Sequence, residues 1–119
     1  MLKEKIQDYI EKIKAIEGVS ECALVSRDGI MLGNSIRSEF NEPWFAAMSA
    51  TLFASAESAS GIIKEPAPDR VTLSSKEGSI AVIGAGDKLL LVAVLKGKPE
   101  SSPAMASLEA LAREIGGSF

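Results

Sequence analysis

The chain has 119 residues, carries a net charge of −3, and is 46% hydrophobic but only 5% aromatic. That length holds a single domain, 1–119, whose folding buries roughly two-thirds of the unfolded surface. The acidic balance excludes broad nucleic-acid or anionic-membrane binding, the lack of histidine excludes His-dependent triads and metal sites, and the lone Cys22 excludes an internal disulfide.

Charges begin at position 3, in MLKEKIQDYIEK, and leave no apolar signal-peptide core, so a cytoplasmic location is expected. Leu2, Ile6, Tyr9, Ile10, Ile13 and Ile16 recur at steps of three and four between charged residues, which predicts an amphipathic helix ended by Gly18. The charges along 3–14 form its solvated face. CALVS (22–26), Arg27-Asp28-Gly29 and IMLGNS (30–35) then read as a hairpin, because glycine accepts the positive φ of a tight turn.

Asn41 is the expected N-cap of a long helix with Pro43 in its first turn, and EPAPD (65–69) stops it. The uncharged run within it, Pro43 to Ala56, is 14 residues, short of the about 20 that a membrane span needs. No membrane insertion is expected. RVTLSS (70–75), SIAVIG (79–84) and LLLVAVL (89–95) follow as strands joined by turns at 76–78 and 85–88. A loop with Pro99 and Pro103 precedes a last helix that has Met105, Leu108, Leu111, Ala112 and Ile115 on one face.

The fold class expected is α/β (α+β), in the order α-β-β-α-β-β-β-α. Strands apolar on both faces (22–25, 80–83, 89–95) belong in the centre of a sheet covered on both sides. Two hairpins joined through the first and last strands give the order 2-1-5-4-3, all antiparallel, with 30–34 and 70–75 at the edges. The long helix takes one face and the two shorter ones the other.

At about 100° per residue, Phe45, Met48, Leu52, Ala56, Ala59 and Ile63 share one side of the long helix. That side is assigned to the core. Ala46, Ala50, Phe53, Ala54 and Glu57 fall opposite, and a helix apolar all round is normally buried. A second copy of the chain is the simplest cover, because a twofold dimer presents one patch to itself. On this assignment Ala50→Glu opens the dimer.

Little catalytic chemistry is legible. Gly84-Ala85-Gly86 has Leu89 where a dinucleotide fingerprint needs its third glycine, and reads as a hairpin turn. With no P-loop, no cofactor is expected. Asp28 and Asp87 fall at one end of the sheet, where they read as turn formers more readily than as cation ligands. Cys22 reads as a buried, inert thiol. Arg27, Arg37, Arg70 and Arg113 are the candidates for a donated arginine, although each reads first as a solvated or paired surface residue. Trp44 reads first as a core or staple contact and otherwise, with Arg27 and Arg37, as a partner anchor.

GVSECALVSRDGIML (18–32), EPWFAAMSATLFASAESA (42–59), RVTLSSKEGSIAVIGAGDKLLLVAVL (70–95) and the closing helix together resemble the Roadblock/dynein light chain family. The resemblance runs from Leu2 to Ile115 and rests on element pattern, Gly18-Val19, Asp28-Gly29 and an Ala-rich second helix. It implies a homodimer in which the 70–75 strand, with Val71, Thr72 and Leu73, pairs with its copy and the long helices pack side by side. It further implies binding to a Ras-like small GTPase, as a non-catalytic GTPase-activating regulator or a scaffold. The rivals are a structural subunit of a larger assembly, as in motor light chains, and a small-molecule sensor. For the sensor, Leu, Ile, Met and Phe already suffice to fill the space between helix and sheet.

Overall fold

The computed structural model describes residues 2–98 and 103–119, so the expected loop residue Pro99 lies outside them. Within α1 (Leu2–Lys14), Ile6, Tyr9, Ile10 and Ile13 are buried, as their spacing requires. The helix stops before Ile16, which packs against the core from the following turn. β1 (Val19–Ser26) starts three residues earlier than its apolar run suggests. Across an irregularity, Val19 and Glu21 pair with Leu95 and Val94. β2 (Met31–Asn34) closes the first hairpin, whose turn depends on Gly29 at φ +90°. A side chain there would be strained.

In α2 (Glu42–Ile62), the Trp44 amide donates to Asn41 Oδ1 over 3.0 Å, which satisfies one of the helix's free N–H groups. β3 (Arg70–Ser74), β4 (Gly78–Ala85), β5 (Leu89–Lys96) and α3 (Ala104–Ser118) complete the chain. The five strands form one sheet in the order β2-β1-β5-β4-β3, every pairing antiparallel. Order, edges and element sequence are those expected.

Two cores flank the sheet. On one face α1 and α3 bury Ile10, Ile13, Leu108 and Ile115 against Leu24, Leu91 and Leu95. Each such side chain contributes on the order of 1.5–3 kcal/mol. On the other face α2 packs on Ala23, Val25, Val82, Leu90 and Val92.

The two sides of α2 are the reverse of the expectation. Ala46, Ser49, Ala50 and Phe53 point at the sheet, with Ala50 8% and Phe53 2% exposed. Of the side assigned to the core, Met48, Ala59 and Ile63 are exposed, while Phe45, Leu52 and Ala56 are half-buried. The reason is steric. The sheet supplies bulk through valine and leucine, so the helix seats closest through small residues, with Phe53 filling the remaining gap. Bulk on a helix wheel marks the core only when the facing surface is not already bulky.

Candidate protein-interaction surface

Three contacts fix where α2 lies on the sheet. A Cβ on Gly29 would sit 3.2 Å from the Ala47 Cα, one on Gly84 would sit 3.4 Å from Phe53 Cζ, and Glu57 pairs with Arg27 at 3.3 Å. All three lie toward the end of the sheet that carries the β1–β2 and β4–β5 turns. Below the helix, Val25, Leu90 and Gly84 form one cross-strand row, and Ala23, Val92, Val82 and Val71 the next. A third row, Glu21, Val94, Ile80 and Leu73, lies farther from the turns. Leu73 is 45% exposed there, with Ile80 and Val94 half-buried. Leu73, Ile80 and Val94 line an open depression of about 400 Å³.

The outer face of α2 needs a cover as well. Trp44, Met48, Thr51, Ser55, Ser58 and Ile62 lie away from the sheet, and all six are exposed. None is charged, whereas a helix face meant for water carries charges. This face, and not the one with Ala46, Ala50 and Phe53, is the apolar surface without a partner. Of the set first assigned to a dimer contact, only Ala54 is exposed, and Glu57 is half-buried against Arg27.

β3 adds an open strand edge. Its ladder to β4 uses odd-numbered residues: the Gly84 amide donates to the Asp69 carbonyl and the Ser75 amide to the Gly78 carbonyl. Antiparallel pairing alternates along a strand. Arg70, Thr72 and Ser74 therefore aim their amides and carbonyls at the free edge, while Val71 and Leu73 share the α2 side. An edge of this kind recruits another strand unless something blocks it.

The arginines differ in freedom. Arg27 donates to Glu57 Oε2 and, over 2.8 Å, to the Gly86 carbonyl, and its guanidinium lies 5.0 Å from the Phe53 ring centre. It braces two turns against α2. Arg70 pairs with Glu109 of α3 at 3.2 Å. Arg37 and Arg113 are exposed. Trp44 is 65% exposed, which removes the core or staple reading. Asp28 and Asp87 do line one depression, with Leu2, Leu32 and Phe119. Cys22 is buried, its Sγ 3.5 Å from Ser35 Oγ, and burial raises its thiol pKa above the ordinary value. Among the described residues no helix is long and apolar enough to cross a membrane, and no group of three acidic, histidine or cysteine residues gathers to hold a metal.

The sequence missed two exposed apolar residues, Ile62, which a wheel centred on the wrong side leaves unremarked, and Ile30, which reads as the first residue of a strand but lies in the turn before it. The lack of any charge along the outer face of α2 was the available signal.

A Roadblock/LC7 domain model matches residues 5–95. Among solved structures, Myxococcus xanthus MglB is 15% identical, with 98% of this chain and 89% of that one covered and a TM-score of 0.82. An MglB in a tetrameric arrangement is 17% identical over 97% of this chain and 88% of that one, with a TM-score of 0.79. A Roadblock/LC7 domain from Streptomyces avermitilis is 13% identical over 92% and 93%, also with a TM-score of 0.79. At these identities the likeness speaks for the fold. No curated protein matches the sequence.

Proposed function

The chain belongs to the Roadblock/LC7 domain family, and from that premise we propose that it is a homodimeric, non-catalytic regulator or scaffold for a Ras-like small GTPase. One observation carries the self-association: the open edge of β3 and the third sheet row beside it both need cover. The sheet row lies on the α2 side, and β3 borders it. A second copy related by a twofold axis meets both needs with one patch and leaves the outer face of α2 open. Its β3 extends the sheet, and its α2 lies beside the first over Leu73, Ile80 and Val94. The likeness in fold to MglB, one form of which is tetrameric, supports self-association.

Family membership supports the GTPase partner. Arg27 is held by three contacts and is not available as a donated arginine, which leaves the exposed Arg37 and Arg113, or shape at the partner's mobile segments. The test uses purified Ras-like proteins of the source organism, each loaded with GDP or a non-hydrolysable GTP analogue. Binding of one of them in a single nucleotide state supports the reading, and its GTP hydrolysis with and without the chain separates regulator from scaffold. If none binds in either state, the reading fails.

A further inference from the structure

Ile30, Trp44 and Met48 are 59%, 65% and 53% exposed and form one patch, joined through Pro43 and Ala47. We propose that this patch docks a protein segment presenting an apolar side chain flanked by lysine or arginine. The proposal deepens the regulator reading and rests on it for the natural partner's being a protein.

The patch is held by rigid backbone. Gly29, at φ +90°, lays the β1–β2 turn directly against Ala47, which keeps Ile30 at the surface. Pro43 and the Asn41 cap fix the first turn of α2, and hence the direction of Trp44. Beside them an open depression of about 800 Å³ is lined by Ile30, Met31, Phe40 and Pro43. An exposed tryptophan on a pre-ordered backbone next to a hollow has the composition of a binding hot spot, where little ordering cost remains.

The patch stays free in the dimer. The Asn34 side-chain amide donates to Glu42 Oε1, which places the start of α2 by β2. β2 and β3 are opposite edges of the sheet. A second copy joined at β3 therefore leaves both patches open.

Charge selects the occupant. Glu42 lines the depression, Glu39 and Asp28 adjoin its lining residues Phe40 and Gly29, and with Asp87 beside Asp28 they face Arg37 and Lys88, four carboxylates against two cations. The Asp28 and Glu39 carboxylates are exposed and make no ion pair with the described residues. Such a rim attracts a cationic segment and repels an acidic one.

Trp44 is the sole tryptophan, so its fluorescence reports on the patch directly. The probes are an acetylated, amidated peptide of alternating leucine and lysine and its leucine–glutamate counterpart. The site predicts a saturable blue shift with the lysine peptide alone, weakened by salt. An Ile30→Ser, Met48→Ser double variant, which keeps the reporter, should bind about tenfold more weakly or worse. Equal responses to both peptides, or unchanged binding by the double variant, overturn the site. If the lysine peptide docks as described but no Ras-like protein binds the chain, the regulator reading fails and this site stands. A Ras-like protein that binds Trp44→Ala as tightly as the wild type overturns the site and leaves the regulator reading intact.

Discussion

Gly116 of α3 lies against Gly86 of the β4–β5 turn so closely that a Cβ on Gly116 would sit 2.6 Å from the Gly86 nitrogen. A pair of adjacent glycines in a helix looks like a weakness, since glycine costs up to about 1 kcal/mol relative to alanine. Here one of them is required. Gly116→Ala should destabilise the chain by about 1–3 kcal/mol, because backbone must move to admit the methyl group. Gly117 has open space around it. Gly117→Ala should instead stabilise by about 0.5 kcal/mol. Urea midpoints of the two variants should move in opposite directions; movement in the same direction contradicts the contact.

The end of α2 offers a second backbone test. The Glu65 amide donates to the Ser60 carbonyl and the Lys64 amide to the Gly61 carbonyl, the paired bonds of a Schellman cap. The residue in the left-handed position is Lys64, at φ 61°, where glycine is usual. Lys64→Gly should raise stability by up to about 1 kcal/mol through relief of that conformation. A loss of stability would mean that the lysine side chain contributes something its exposure conceals.

What the sequence made legible follows from how strongly each local signal was imposed. Alternation and turn glycines set the hairpins, and the doubly apolar runs of β4 and β5 set the sheet order. The start of β1 was hidden because Ser20 and Glu21 are polar although they continue the strand. Which side of α2 meets the sheet was not legible, since apolar residues surround that helix. Met48 could be told from Phe53 only by knowing that Val25, Val82, Leu90 and Val92 already fill the floor. The site inherited that error: Ala50→Glu, expected to open a dimer, would instead force a charge against the sheet and unfold the chain.

Arg27 ties the β1–β2 turn, the β4–β5 turn and α2 together. Arg27→Ala should cost about 1–3 kcal/mol, since it removes two charged hydrogen bonds, one of them partly solvated, and a cation–π contact. Arg27→Lys should recover little, because one ammonium cannot reach both Glu57 and the Gly86 carbonyl. Glu57→Gln should cost less than about 1 kcal/mol, its pair being partly solvated. Chemical unfolding of the three variants checks the ranking; a lysine variant as stable as the wild type would refute the bracing role.

Strand pairing can be trapped chemically. With Arg70, Thr72 and Ser74 facing the free edge, a twofold pairing centred on Thr72 sets the two Thr72 Cα atoms about 5.5 Å apart, within disulfide range. Thr72→Cys should give a cross-linked dimer under mild oxidation, and Ser75→Cys should give much less. Cys22, buried and with its thiol pKa raised, should not compete. Equal cross-linking of both variants would remove the register.

Light scattering on the eluting protein at micromolar concentration tests the paired platform most directly. The prediction is a mass twice that of the 12.5 kDa chain, falling to one chain in Leu73→Arg, which sets two cations against the apolar row. A wild-type mass of a single chain would contradict the account, leaving the β3 edge and the row of Leu73, Ile80 and Val94 bare.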